Sequence, residues 1–309
     1  LGNYIDSIIE KIEELKRRRR AVILAHNYQI PEVQEVADFV GDSLELSRKA
    51  MECSADVIVF AGVSFMAEMA AALNPDKIVL HPVPEAGCPL ANFLPPSKLR
   101  EYKESAPRAP IVVYVNSLAS TKAEADYVVT SASAPKLISR LEDEVVIFGP
   151  DKNLADYVAE LTQKEIVVAP PYGHCPVHEY LLNEYYVRKS LYEYPNAILI
   201  AHPETPKQVR RMAKFVGSTS QMIKAVENFR NVDTLVIATE EGLVYRARKL
   251  YPDKNIVPAN PLAVCIDMKK ITLRSILRAL ELGKHRVSLD SAIAKRVRET
   301  IERSLELLK

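Results

Sequence analysis

Three stretches of the sequence read alike at a fixed interval, and this periodicity narrows the possible folds more than any local motif does. Ile23-Leu-Ala-His26-Asn-Tyr28, Val112-Val-Tyr114-Val-Asn116 and Leu199-Ile-Ala-His202-Pro-Glu204 lead with residues 26, 114 and 202, which are 88 and again 88 positions apart. Seventeen positions after each leading residue a hydroxyl side chain opens a helical pattern: Ser43, Ser131 and Thr219. A cysteine follows in each copy, Cys88, Cys175 and Cys265, at offsets of 62, 61 and 63 from the leading residue. A charged helical stretch precedes each first strand, at Ile8–Arg19, Ser97–Glu104 and Asn183–Tyr192.

Within each copy, β-branched runs of strand length alternate with helical patterns, as in α/β construction. Strands are expected at Ala21–Ala25, Asp56–Ala61, Lys77–Leu80, Ile111–Val115, Tyr127–Thr130, Val145–Phe148, Glu165–Ala169, Ala197–Ala201, Thr234–Ala238 and Asn255–Val257. Helices are expected between them, among them Glu32–Phe39, Leu44–Glu52, Leu154–Thr162 and Ile223–Phe229. The expected architecture is therefore α/β, with three similar three-layer αβα domains built on parallel sheets. A pseudo-threefold axis would relate them around a central active site. The domains are expected at 1–96 with Cys88, 97–182 with Cys175 and 183–270 with Cys265, followed by a C-terminal helical extension over 271–309.

Composition removes several classes of function. With 41 Lys and Arg against 40 Asp and Glu, the net charge of +1 gives no reason to expect nucleic acid or an acidic membrane as a partner. No apolar run approaches the roughly 20 residues of a membrane span. Tyr4 to Arg20 is charged and helix-patterned without an apolar signal-peptide core, so a cytoplasmic enzyme is expected. Four widely spaced cysteines do not make a secreted disulfide framework, and no CxxC occurs. Cys53 has no counterpart in the other copies and reads as packing.

In parallel sheets ligands bind beyond the carboxyl ends of the strands, where the repeated polar residues lie. Internal symmetry would therefore gather Cys88, Cys175 and Cys265 as a soft metal site. A 4Fe–4S cluster with one open iron suits three thiolates. A zinc site of three cysteines and a histidine competes with it, because His174 and His178 flank Cys175. Ser43, Ser131 and Thr219 occupy N-cap-like positions, and three helix N-termini facing one cavity favour a small, multiply anionic ligand. His26, Tyr28, Tyr114, Asn116, His202 and Glu204 are expected to line that cavity, with proton exchange open to the histidines and the glutamate.

The ordered motifs Ala25-His26-Asn-Tyr28, Gly41-Asp-Ser43, Gly87-Cys88-Pro, Tyr114-Val-Asn116, Thr130-Ser131, Gly149-Pro-Asp-Lys-Asn153, Gly173-His-Cys175-Pro-Val-His178, His202-Pro-Glu204, Ser218-Thr219 and Cys265-Ile-Asp-Met-Lys269 resemble the quinolinate synthase family over almost the whole chain. The resemblance implies a transferase of NAD biosynthesis that condenses iminoaspartate with dihydroxyacetone phosphate to give quinolinate, phosphate and water. It implies that Cys88, Cys175 and Cys265 hold a 4Fe–4S cluster whose open iron acts as a Lewis acid. It further implies that His26, Ser43, Tyr114, Asn116, Ser131, His202, Glu204 and Thr219 bind substrate. His26, Tyr28, Tyr114, His202 and Glu204 would be catalytic, with Glu204 shuttling protons. The enzyme that produces iminoaspartate is the implied functional partner. Met268 stands where some members carry a second cysteine, so no disulfide switch is expected there, and Leu90 replaces a common methionine.

Overall fold

The computed structural model describes residues 2–229 and 231–309. In chain order the first repeat comprises α1 (Gly2–Arg19), β1 (Ala21–His26), α2 (Pro31–Val36), β2 (Phe39–Gly41), α3 (Ser43–Glu52), β3 (Val57–Ala61), α4 (Ser64–Leu73) and β4 (Ile78–Leu80). The second runs α5 (Pro96–Ser105), β5 (Ile111–Tyr114), α6 (Ala119–Lys122), β6 (Tyr127–Val129), α7 (Ala134–Ser139), β7 (Val145–Gly149), α8 (Lys152–Thr162) and β8 (Glu165–Val168). The third runs α9 (Glu184–Glu193), β9 (Ile198–Ala201), α10 (Lys207–Met212), β10 (Phe215–Val216), α11 (Thr219–Asn228), β11 (Thr234–Ala238), α12 (Gly242–Leu250) and β12 (Asn255–Pro258). Helices α13 (Ile266–Lys269), α14 (Leu273–Leu282) and α15 (Ser291–Leu308) come last.

Each repeat builds one four-stranded sheet, and all three have the same strand order: β2-β1-β3-β4, β6-β5-β7-β8 and β10-β9-β11-β12. Every pairing is parallel. The fold is thus α/β and three-layered, as the alternation of patterns indicates. In this order the chain leaves the first strand toward one edge and the third strand toward the other. The two right-handed crossovers then lie on opposite faces, which opens a crevice at the carboxyl ends of the first and third strands.

The chain divides into two compact units: Leu1–Cys88 with Cys265–Arg298, and Pro89–Val264 with Glu299–Lys309. In the first unit, Ala21, Ile23 and Ala25 of β1 and Val57, Val59 and Ala61 of β3 share one core with Ile8, Ile12 and Leu15 of α1, Val33 and Val36 of α2, and Ile276 and Leu280 of α14. These strand residues are all odd-numbered, as the two-residue period of a strand requires of one face. Leu24, Ile58 and Phe60 point the other way and are fully buried, on sheet strands that α3 and α4 also contact. Burial on both faces explains why these strands are continuous apolar runs.

The sequence reading finds ten strands and misses β2 and β10, which are three and two residues long and too short to show a period. The repeat itself marks them, because Tyr127 of β6 displaced by 88 in either direction falls on Phe39 and Phe215. The helix expected over Glu32–Phe39 ends instead at Val36, since Phe39 pairs with Leu24 in the sheet. Outer strands are covered by the C-terminal segment: in the first unit the Val287 N–H donates to the Val79 carbonyl of β4. In the second, Ser304 Oγ accepts from the Val128 N–H of β6 at 2.8 Å. No helix among the described residues is long and apolar enough to cross a membrane.

Two glycines permit a close backbone approach in the second unit. A Cβ on Gly149 would lie 1.7 Å from the Ala169 carbonyl oxygen, and one on Gly173 would lie 2.0 Å from that of Pro150. Gly149→Ala is therefore expected to destabilise the protein by more than about 3 kcal/mol in denaturant unfolding, because backbone rather than a movable side chain is in the way. Unchanged stability would contradict the approach.

Candidate active site

The three cysteines sit in loops with one backbone pattern. Two residues before each, an N–H closes a turn onto a carbonyl three residues back: Ala86 to Val83, Gly173 to Pro170 and Ala263 to Asn260. The carbonyl of that same residue accepts an N–H from the loop or helix start after the third strand of its repeat. These bonds run from Ser64 to Ala86 at 2.8 Å, from Lys152 to Gly173 at 2.8 Å and from Glu241 to Ala263 at 3.0 Å. The sequence offsets of the cysteines are thus the outcome of one local structure made three times. All four cysteines are thiols, each partly exposed.

In the first unit, His26 ends β1 and is buried, and its Nδ1 accepts the Tyr28 N–H at 3.2 Å. The two rings meet edge to face with centroids 4.6 Å apart. Lys269 Nζ donates to the Tyr28 carbonyl at 2.8 Å, and Met268 Sδ accepts from Gln29 Nε2. These contacts tie α13, which begins next to Cys265, to the loop after β1. Met268 accordingly serves as a packing and acceptor group.

The hydroxyl residues take positions one or more places off the expected caps. Asp42 caps α3, accepting from the Leu44 and Glu45 N–H groups, and Ser43 is the first helical residue. Ser218 caps α11, placing Thr219 first in that helix. Ser131 precedes α7 by three residues, and Ser133 takes the N-cap position. Capping is done by neighbours, so the hydroxyls of Ser43 and Thr219 are not required for it.

The second unit brings Tyr114, Asn116, Ser131, Cys175, His202 and Glu204 together around the Glu204 carboxylate. Asn116 Nδ2 donates to Glu204 Oε1 at 3.1 Å, and the Tyr114 hydroxyl also bonds the carboxylate. His178 Nδ1 lies 2.9 Å from Glu204 Oε2 and 3.2 Å from Cys175 Sγ, and its Nε2 lies 2.9 Å from Thr239 Oγ1. His202 packs beside His178 with ring centroids 4.9 Å apart.

The His202 Nδ1 accepts the Glu204 N–H at 3.3 Å, repeating the bond between His26 and Tyr28. An acceptor Nδ1 leaves the proton of each neutral ring on Nε2. His202 Nε2 then donates toward Ser131 Oγ at 3.4 Å. Burial lowers the His202 pKa from 6.5 to about 3, with His178 adding to the shift and Glu204 opposing it. Burial alone would raise Glu204, but His178, His202 and Tyr114 outweigh it and hold the carboxyl at about 2. Asp151 is raised well above its ordinary value by burial and by the Glu204 charge.

Supporting contacts converge on the segment after Cys175. Asp151 caps α8 through Leu154 and accepts the Cys175 N–H at 3.1 Å. A π-helix, Val177–Leu181, carries His178 and Glu179, and such turns often mark functional sites. Lys152 and Asn153 hold Glu179 at 2.6 and 2.8 Å, and Asn153 also donates to the Glu204 carbonyl. His174 is half-buried instead and packs between the rings of Phe93 and Tyr180.

In the sequence His178 is marked as a zinc ligand and by the motif that ends on it, Asn153 by the motif over 149–153, and Thr239 not at all. Thr239 follows β11, the third strand of its sheet, so the topological switch point was the available signal.

The family model described as Quinolinate synthetase A protein matches residues 10–306. The chain belongs to the quinolinate synthase family. It is 52% identical over 300 residues to the quinolinate synthase of Pyrococcus abyssi, covering 97% of this chain and 99% of that one. Identity to the quinolinate synthase of Thermococcus kodakarensis is 50%, covering 98% and 99% of the two chains. To that of Thermotoga maritima it is 47%, covering 97% and 100%.

The neutral His202 links stability to pH. An unfolded chain binds a proton near pH 6.5, whereas the native ring resists it down to about 3. The native advantage is therefore complete above 6.5 and is lost as pH falls toward 3, a loss on the order of a few kcal/mol. His202→Gln is expected to flatten the fall in urea-unfolding free energy between pH 7 and pH 4 relative to the parent. Parallel pH curves would show that the ring titrates normally.

Proposed function

We propose that this protein is a quinolinate synthase, condensing iminoaspartate with dihydroxyacetone phosphate to form quinolinate, phosphate and water for NAD biosynthesis. The observation that carries the reading is the single backbone loop that presents a cysteine in each of three repeats, in a chain of this family. Three thiols in equivalent loops are a fitting donor set for a 4Fe–4S cluster held by Cys88, Cys175 and Cys265. When bound, such a cluster supplies a Lewis-acidic iron with an open position. In this reading residues 1–96, 97–182 and 183–270 act as three domains bearing one thiolate each, and 271–309 is a helical extension.

The protein's own groups account for binding and proton movement. Ser43 and Thr219, at helix starts capped by their neighbours, offer hydroxyls and backbone N–H groups to carboxylate or phosphate, and Ser131 serves with His202. The Nε2–H groups of His26 and His202 donate to anionic oxygens. Glu204, ionised and hydrogen-bonded by Tyr114 and Asn116, accepts a proton during isomerisation and dehydration. Tyr28 and Tyr114 orient or protonate intermediates. An imine substrate hydrolyses readily, so the enzyme that forms iminoaspartate is the functional partner, and a cytoplasmic setting suits both.

Anaerobic purification is expected to yield about four irons and four sulfides per chain. Cys88→Ser should lose both the cluster and quinolinate formation. Glu204→Gln should keep the iron and lower turnover by roughly 10²–10⁴-fold, the usual loss of a general base. An iron-free protein with full activity overturns the cluster reading, and an iron-loaded protein that makes no quinolinate overturns the reaction.

A further inference from the structure

Each of the three first-strand loops is held by the same buried device. The short helix after the strand begins five residues beyond the leading residue in every repeat, at Pro31, Ala119 and Lys207. Eight residues beyond the leading residue stands a long polar side chain: Gln34, Lys122 and Arg210. Each donates back to the carbonyl of the residue three places after the leading one. Gln34 Nε2 reaches the Gln29 carbonyl at 2.9 Å, Lys122 Nζ the Ser117 carbonyl at 2.8 Å and Arg210 Nη1 the Thr205 carbonyl at 2.6 Å. The three donor residues are at most 6% exposed, and Gln29, Ser117 and Thr205 are fully buried. An amide, an ammonium and a guanidinium are costly to bury, and they share little beyond an N–H at the end of a long stem. What the repeats keep at this position is therefore the donor and its reach.

We propose that Gln34, Lys122 and Arg210 are positioning residues, each setting the loop that presents the site side chains of its own repeat. The clamped carbonyl adjoins the side chain concerned: Tyr28 precedes Gln29, Asn116 precedes Ser117 and Glu204 precedes Thr205. Gln34 also donates to the Asn27 carbonyl at 3.1 Å, so Tyr28 is held from both sides. Inside each clamp the turn closes onto the carbonyl of the leading residue. The Gln29 N–H does so in the first repeat, Ser117 Oγ in the second, and both the N–H and Oγ1 of Thr205 in the third. With the turn fixed, the N–H groups of Tyr28 and Glu204 meet Nδ1 of His26 and His202, which keeps the ring proton on Nε2. Arg210 extends its clamp outward, because Nη2 pairs with Asp156 of α8, which Lys207 also meets. The loop that carries Glu204 is thereby tied to a helix of the preceding repeat.

Amide hydrogen exchange in the full-length, anaerobically purified protein tests this. Arg210→Met is expected to speed exchange of the Glu204 amide about tenfold and to leave the Tyr28 amide unchanged, with the converse in Gln34→Met. Arg210→Lys keeps a donor and should restore the parent rate. Val209→Ala weakens the packing of α10 without removing the donor, and should leave the Glu204 amide as it is in the parent. The consequence for turnover rests on the reaction proposed above: Arg210→Met should lower kcat about tenfold with the KM of both substrates nearly unchanged, since Glu204 is misplaced rather than lost. Arg210→Lys should recover most of that loss. Thermal melting identifies a variant that has not folded, and Gln34→Met against Val33→Ala then decides the matter at the Tyr28 amide. Parent-like exchange at Glu204 in folded Arg210→Met overturns the inference, as does equal acceleration in Val209→Ala. A parent protein that makes no quinolinate overturns the reaction alone, because exchange is read without turnover.

Discussion

The contact between His178 Nδ1 and the Glu204 carboxylate joins two repeats of the second unit, since one residue follows β8 and the other follows β9. Both side chains are almost fully buried, and an isolated buried carboxylate is expensive, so removing His178 would strand Glu204. Around this pair the remaining groups take fixed roles. Asn116 and Tyr114 bring the end of β5 to the carboxylate, Asn153 brings the loop after β7 to the Glu204 carbonyl, and Thr239 brings the end of β11 to the far side of His178. Five strand ends thus meet around one buried carboxylate and its histidine.

The two leading histidines show how a repeat carries chemistry forward while allowing it to diverge. His26 and His202 make the same bond, Nδ1 accepting an N–H two residues on, and so hold the same tautomer. The donors of that N–H are unlike, a tyrosine in one copy and a glutamate in the other. The backbone fixes the imidazole, while the side chain beside it decides whether the neighbourhood is aromatic or charged. The middle copy departs further, with Tyr114 in place of a histidine.

Much of the fold was legible because parallel strands buried on both faces become apolar runs, and because an 88-residue interval repeats their order. The edge strands β2 and β10 escaped for the same reason, being too short for any run, and Phe39 was absorbed into the preceding helical pattern. Of the site, the first-strand residues were legible through the repeat. His178 and Thr239 were not, because they have no counterparts in the alignment of strand ends, and their meaning rests on which nitrogen faces which oxygen. The helix caps were displaced by one residue at Ser43 and Thr219, since either member of Asp42-Ser43 or Ser218-Thr219 has the chemistry to cap and only the backbone chooses.

The first sheet draws its cover from both ends of the chain. Ile276 and Leu280 of α14 complete the core beneath β1 and β3, and the strand-like segment around Arg286 closes the outer side of β4. A ribosome delivers those residues after the strands of all three sheets have been made. Residues 2–88 therefore wait through the synthesis of about two hundred more with an apolar face incompletely covered and an edge unpaired, a state prone to wrong partners. The first of the three sheets to be made is the last to be finished.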